Sequence, residues 1–138
     1  MSAAFLSPLR VEKCPDGRWK LLEPLAFHSV RFRGIFLAPA GFVTDFASTP
    51  RALWMLYPRD GPWSRASVFH DAGYHHALLT ASLQPVHLIK AFSDELFLEG
   101  LVADGVRKAD RVLMYRAVCW FGKGRQSRSA IEAEAHHD

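Results

Sequence analysis

Cysteine is scarce in this chain, and the positions of the two cysteines exclude the sites that cysteine usually builds. Among the 138 residues, only Cys14 and Cys119 are cysteines. Their separation matches neither a zinc-binding nor a redox-active spacing, so we expect two free thiols in a reducing compartment. No disulfide framework is needed for folding, because 49% of the residues are hydrophobic, which is enough for an ordinary core in one domain.

Long apolar segments are also missing. No run approaches the ~20 residues that a membrane-spanning helix requires, which predicts that the protein has no transmembrane segment. Residues Met1 to Leu6 lack the charged and apolar regions of a signal peptide. We therefore expect a soluble protein of the cytoplasm.

Acidic residues are scarce in one region of the chain. Between Gly105 and Ser129, Asp110 is the one acidic residue against seven basic ones. This basic cluster could contact phosphate or a membrane surface, although we favour a solvated helix face followed by a loose tail. The net charge of +3 is modest, so the sequence carries no strong signal for nucleic-acid binding.

The first third of the chain is typical of short strands. Arg10–Cys14 and Arg18–Leu22 flank the turn sequence Pro15-Asp16-Gly17, which predicts a hairpin. Glycine and proline punctuate the next segments up to about Asp45. Further strands are expected at 30–32, 35–37 and 41–44, giving a small, mostly antiparallel sheet.

Helices are expected from Arg51 onward. A short helix at 51–56 follows the capping sequence Ser48-Thr49-Pro50. Longer helices are expected from Pro62 or Trp63 to about Leu78, from Pro85 to about Ala103, and from Val106 to about Phe121. The predicted fold class is α+β, with a small N-terminal antiparallel β-sheet followed by a three- to four-helix C-terminal part. We expect a single domain over residues 1–122 and a polar, flexible tail over 123–138.

The most informative segment is Val68–Tyr74. It places His70, Asp71 and Tyr74 on about one turn of an otherwise apolar helix. By three- and four-residue spacing, His70 and Tyr74 share the inward face with Ala66. The sequence therefore predicts an imidazole that points into the core, with a carboxylate beside it.

A second ionisable residue, Asp94, lies on the apolar face of the next predicted helix. It aligns with Phe97 and Leu101, so its carboxylate should be buried and needs a partner. The short connection at 80–84 makes the two helices antiparallel neighbours, and we expect His70 to pair with Asp94. Such a carboxylate can make the imidazole a general base for water. The alternative is a core histidine whose hydrogen bond holds two helices in register.

Another candidate cluster lies where the last strand meets the first helix, and it comprises Thr44, Asp45, Ser48, Pro50 and Arg51. Asp45 could bind backbone amides as a turn or cap residue. It could instead pair with Arg51 and line the same pocket as the histidine. Both interpretations stay open at the level of sequence.

These segments together resemble a known family. The shared motifs are Phe42-x-Thr44-Asp45-x-Ala47-Ser48-x-Pro50-Arg51, His70-Asp71-x-x-Tyr74, Asp94-x-x-Phe97 and Met114-Tyr115-x-Ala117-Val118. In this order, over about residues 41–122, the chain resembles the phage and prophage family called domain of unknown function 1353. Ser93 stands where a small residue such as alanine is expected. The resemblance implies an origin in a tailed phage or prophage and no established activity.

The function expected from this resemblance is a virion component, of the tail, baseplate or neck, or an assembly factor. The expected partners are other phage structural proteins or a second copy of the chain. The location would be the virion or the cytoplasm of the bacterial host. Under this hypothesis the His70–Asp94 pair is a buried structural network.

An alternative hypothesis comes from a local likeness to the helix pair of phospholipase A2. It implies a small hydrolase acting on lipid or envelope esters, with His70 as general base and Asp94 orienting it. Tyr74 would donate to Asp94, and Asp71 would bind Ca²⁺. The sequence has neither the disulfide frame nor the glycine-rich calcium loop, and Ca²⁺ takes about 6–8 oxygen ligands. Calcium is therefore a cofactor of this alternative alone, and whether the protein is an enzyme stays open.

Overall fold

The chain folds into two small antiparallel sheets with helices packed against them. The structure, a computed structural model, describes residues 2–44, 55–58, 61–86 and 90–120. The helices are α1 (Ser64–Tyr74), α2 (Lys90–Ala103) and α3, which covers residues 108–120. This arrangement confirms the predicted α+β class. The strands are β1 (Ala4–Phe5), β2 (Val11–Lys13), β3 (Trp19–Leu21), β4 (Leu25–Ser29), β5 (Gly34–Ala38), β6 (Val43–Thr44) and β7 (Leu79–Thr80).

The strands form two sheets where the sequence predicted one. One sheet has the order β1-β4-β5-β7 and the other has the order β2-β3-β6. All pairings are antiparallel. β3 pairs with β6 instead of β4, so residues 22–24 carry the chain from one sheet to the other.

The hairpin predicted at the start of the chain is confirmed. β2 and β3 pair with Val11 opposite Leu21 and Lys13 opposite Trp19. The turn between them needs Gly17, whose φ of +88° lies in the left-handed region that glycine adopts without strain. Local turn chemistry therefore sets this register.

The strand predicted at 30–32 is wrong, because these residues form the turn between β4 and β5. The backbone N–H groups of Val30 and Arg31 are bound from outside the sheet. One carboxylate oxygen of Glu99 in α2 accepts from Val30 at 3.1 Å and from Arg31 at 3.0 Å. The other accepts from the Ser29 hydroxyl at 2.6 Å. A distant helix thus stabilises a turn that local propensity does not reveal.

The helix boundaries differ from the expected ones at two places. α1 ends at Tyr74 instead of about Leu78, because His76 adopts a left-handed φ of 57° and the chain then enters β7. Pro85 lies outside helical structure, in a bridge with Leu79. α2 ends as predicted before Gly105, whose φ is +75°. Of the helix predicted at 51–56, residues 55 and 56 are described, and both are helical. The tail predicted at 123–138 lies outside the described residues.

α1 is the central element of the core. Every residue from Ala66 to Gly73 is buried, so the helix has neighbours on all sides over these two turns. One apolar cluster joins its Val68, Phe69 and Ala72 to the strands. A second joins Ala66 to residues of α2 and α3, including Phe97 and Met114. Both His70 and Asp71 are buried for this reason. Within the described ranges, no helix is long and apolar enough to span a membrane.

Candidate functional site

His70 and Asp94, which the sequence predicted to pair, are in hydrogen-bonding contact inside the core. Nε2 of His70 lies 2.8 Å from Oδ1 of Asp94, and their side chains are 1% and 4% exposed. An ionised carboxylate can only accept, so the proton of this bond lies on Nε2. In the neutral imidazole, the lone pair is then on Nδ1. The contact therefore fixes both the ring tautomer and its orientation.

Lys90 is a third member of this buried group. Its ammonium contacts Oδ2 of Asp94 and donates to the backbone carbonyl of Cys119 at 3.2 Å. The four-residue spacing places Lys90 and Asp94 on the same face of α2, while Cys119 belongs to α3. We call His70, Asp94 and Lys90 the His–Asp–Lys cluster. It links α1, α2 and α3 through side chains that are almost completely removed from solvent.

The cluster holds Asp94 in its charged form. Burial alone would raise the pKa of the Asp94 carboxyl, but the hydrogen bonds from His70 and Lys90 outweigh this and keep the pKa below its usual value. The ammonium of Lys90 balances the carboxylate charge when the imidazole is neutral. Burial also raises the pKa of the nearby Cys119 thiol, and the charge of Asp94 acts in the same direction. Cys119 is therefore a free thiol that does not favour the nucleophilic thiolate form.

Asp71 makes its contacts with the three-stranded sheet and with the end of its own helix. Its Oδ2 accepts a hydrogen bond from the Thr44 hydroxyl at 2.5 Å, and its Oδ1 lies 3.4 Å from Nε2 of His75. Both Asp71 and Thr44 are buried. Because Thr44 is in β6, this contact joins α1 to the sheet beside the His–Asp–Lys cluster.

The described residues include part of the predicted site. Thr44 from the second predicted cluster reaches Asp71, whereas Asp45, Ser48, Pro50 and Arg51 lie outside the described residues. Tyr74 stands beside His70, with ring centroids 6.3 Å apart. Asp94 contacts His70 with one oxygen and Lys90 with the other, and the role of Tyr74 as a donor to Asp94 stays a prediction.

Close packing surrounds the cluster. A Cβ atom on Gly73 would lie 2.9 Å from the Ser93 hydroxyl and 3.2 Å from Cδ1 of Leu78, so these side chains pack closely against the α1 backbone at this glycine. The ring of Phe97 lies against His70, with centroids 5.0 Å apart. The imidazole is therefore held between an apolar ring and a buried carboxylate.

In the described parts of the chain, no set of further ligands accompanies Asp71, the suggested calcium ligand. There, no group of three or more histidine, cysteine, aspartate or glutamate side chains is placed to hold a metal ion. Ca²⁺ takes about 6–8 oxygen ligands, and Asp71 already accepts from Thr44. The residues described do not fit a calcium site, and the role of Asp71 as a ligand stays a prediction.

Comparison with known proteins identifies a family. The family model described as "Protein of unknown function (DUF1353)" matches residues 19–118. The chain belongs to the DUF1353 family. The match runs from β3 into α3, so it includes the whole His–Asp–Lys cluster and begins upstream of the motifs noted in the sequence. No curated protein matches the chain, and no solved structure matches it.

In this DUF1353 protein, sequence reasoning missed Lys90. A lysine four residues before an acidic residue on a helix usually forms a solvated pair, and periodicity does not distinguish that case from a buried one. The predicted burial of Asp94 could have pointed to Lys90. Asp94 was predicted to be buried, and a buried carboxylate needs charge balance as well as a hydrogen-bond donor, which a neutral histidine alone does not supply.

Proposed function

We propose that this protein is a component or assembly factor of a tailed-phage or prophage particle, and that its His–Asp–Lys cluster is a structural network. The phage origin is what membership of the DUF1353 family implies through the resemblance described above. The structural role rests on the geometry of the cluster.

The observation that carries the structural role is burial combined with satisfied contacts. The side chains of His70, Asp94 and Lys90 are 1%, 4% and 10% exposed. Both oxygens of Asp94 have partners, and Lys90 has a second acceptor in Cys119. A general base must reach a substrate or a water molecule. Lys90 also balances the charge of Asp94 inside the core. These features favour a network that holds three helices together.

The particle assignment is tested by mass spectrometry. Particles released from an induced lysogen that carries the gene are purified, and peptides of this chain are counted against those of a major structural protein. A virion component is expected at a constant ratio in separate preparations. An assembly factor is expected in partly assembled particles and not in complete ones. Absence from both fractions, while the chain is abundant in the lysate, would refute the proposal.

A second candidate is a small hydrolase of lipid or envelope esters with His70 as general base. The observation that favours it is the contact between Asp94 and Nε2, which fixes the orientation and the tautomer of the imidazole. Burying several charged groups is also an inefficient way to stabilise a small core, and such groups concentrate at functional sites. In this case Asp94 would be a positioning residue.

The two candidates are separated by the His70→Gln variant. Glutamine can still donate to Asp94 but cannot act as a base near neutral pH. Hydrolysis of anionic phospholipid vesicles and of soluble nitrophenyl esters is measured with and without Ca²⁺ or Zn²⁺, and His28→Gln is the matched control. The structural role predicts no hydrolysis by the wild type and a lower melting temperature for His70→Gln. Hydrolysis by the wild type and His28→Gln that is lost in a folded His70→Gln variant would establish the hydrolase instead.

A further inference from the structure

A surface cavity of about 420 Å³ lies between the residues that precede α1 and the start of α3. None of its lining residues belongs to the His–Asp–Lys cluster. The residues important here are Leu56, Tyr57, Trp63, Val106, Arg107 and Asp110. The volume lies in the range of cavities that hold a small ligand or one or two side chains.

The walls of the cavity are fixed without a ligand. The rings of Tyr57 and Trp63 meet edge to face with centroids 5.2 Å apart. The indole N–H of Trp63 donates to the Pro58 carbonyl at 2.5 Å, and the Tyr57 hydroxyl donates to Asp110 at 2.7 Å. Two aromatic side chains held in this way form a preorganised apolar surface, which is a common feature of binding hot spots.

Large apolar side chains lie open to solvent beside these walls. Met55 is 89% exposed, and Leu56, which also lines the cavity, is 67% exposed. Leu56 thus extends the apolar lining of the cavity into an exposed apolar patch, with Met55 as its neighbour in the chain. A patch of this kind, bordered by charged residues, is typical of an interaction surface.

The charged border is predominantly basic. Asp110 accepts from Tyr57 and from Nε of Arg107 at 3.0 Å, and these hydrogen bonds hold the pKa of its carboxyl below the usual value. The negative charge of Asp110 is therefore already paired with the positive charge of Arg107. Arg107 keeps its terminal nitrogens at an 84% exposed position, and Lys108 is exposed next to it. Arg107 and Lys108 together exceed the single negative charge of Asp110, so the start of α3 has a net positive charge beside the cavity.

We propose that this cavity binds an acidic segment of a partner protein. One apolar side chain of the segment enters the cavity and packs against the Tyr57 and Trp63 rings, and a neighbouring carboxylate pairs with Arg107. The concave shape favours a side chain over a flat bilayer, and a planar guanidinium at the rim matches a carboxylate in a bidentate geometry. This inference stands whether or not the protein belongs to a phage particle.

The test uses the full chain and fluorescein-labelled synthetic peptides. The probe carries a central Leu-Phe pair between glutamates. One control peptide replaces the glutamates by lysines, and the other replaces the central pair by glycines. Fluorescence anisotropy should show saturable binding of the probe that weakens as salt is added. Both control peptides should bind at least about tenfold more weakly.

Variants of the protein test whether the peptide probe binds in the cavity. Arg107→Glu and Leu56→Asp are each expected to weaken binding of the probe by about tenfold. Leu56→Asp changes an exposed side chain, so it tests the cavity even if Arg107→Glu disturbs the Asp110 contacts. The matched controls are Arg116→Glu, an exposed residue further along α3, and Leu22→Asp, an exposed leucine that does not line the cavity. Both should bind the probe like the wild type.

Three results would overturn the proposal. The first is no saturable binding of the probe to the wild type. The second is equal binding of the lysine peptide, or unchanged binding in both cavity variants. The third is evidence that this surface binds something other than an acidic segment. Sedimentation of the wild type with anionic phospholipid vesicles, or self-association in solution that Leu56→Asp abolishes, without probe binding, would assign the surface to a membrane or to a second copy of the chain.

Discussion

Lys90 determines whether the charge of Asp94 in the buried site is balanced. Without it, Asp94 would be an anion whose one partner is an imidazole, which is the arrangement that makes histidine a stronger base. With it, the carboxylate charge is balanced within α2 itself, and the histidine adds a second hydrogen bond to the same carboxylate. The same three side chains therefore join three helices while keeping the net charge of the core small.

We expect Lys90 and Asp94 to be strongly coupled. Lys90→Met should lower the free energy of unfolding by about 3 kcal/mol, because it leaves a buried carboxylate without its cation. Asp94→Asn should cost a similar amount, since the amide can still accept from His70 but leaves the ammonium uncompensated. The double variant should lose less than the sum of the two. Urea unfolding of the four proteins measures this, and additive losses would show that the two charges act independently.

The pH dependence of stability follows from the lowered pKa of Asp94. Because the folded pKa lies below the unfolded value of about 3.9, the unfolded chain binds more protons in acid. The stabilisation is fully present above pH ~4 and is lost as the pH falls through the lower folded pKa. The free energy of unfolding of Asp94→Asn should therefore fall less steeply than that of the wild type below pH ~4. Parallel curves from urea unfolding at a series of pH values would contradict this.

At the level of elements, the contact between α1 and α2 is tight at Gly73. Gly73→Ala would gain about 1 kcal/mol in helix propensity, but its Cβ would lie 2.9 Å from the Ser93 hydroxyl. The overpacking cost of about 1–3 kcal/mol is larger, so we expect a net loss of stability. Ser93→Ala alone should be close to neutral, because this buried hydroxyl has no hydrogen-bond partner among the described residues.

The double variant tests whether this single contact is responsible. Removing the Ser93 hydroxyl removes the shortest contact of the new methyl group, and the Ser93 Cβ at 3.4 Å is an ordinary neighbour. Gly73→Ala in the Ser93→Ala background should therefore be neutral or stabilising in thermal unfolding. An equal loss in both backgrounds would place the strain elsewhere, for example at Leu78.

Elements governed by local patterns were predicted well, and elements governed by distant contacts were not. The β2–β3 hairpin follows from one turn sequence, and the His70–Asp94 pair follows from helical spacing plus a short connection. The turn at 30–33 depends on Glu99, which lies far away in sequence. α1 stops early because Leu79 joins β5 across the sheet. The candidate site was predicted incompletely for the same reason, since Lys90 is buried by contact with α3, a distant part of the chain.

At the scale of the whole molecule, Arg65 connects parts of the chain that are far apart in sequence. Its guanidinium binds both carboxylate oxygens of Asp104, at 2.5 Å and 3.0 Å, and donates to the Ser7 carbonyl at 3.1 Å. It also lies over the Phe5 ring, 4.9 Å from the centroid. One side chain of α1 thus holds the residue after α2 and the first strand in place together.

Arg65→Lys should loosen the first strand selectively. Lysine keeps the charge but cannot bind Asp104 in a bidentate manner while also reaching Ser7. The amide of Leu6, which donates to Ala26 at 2.8 Å, should then exchange its hydrogen about tenfold faster, while amides of the β4–β5 pairing keep their protection. Hydrogen exchange followed by NMR measures both, with Arg10→Lys as a control because the Arg10–Glu23 pair is exposed. Equal acceleration throughout the chain would mean that Arg65 supports global stability and not the attachment of β1.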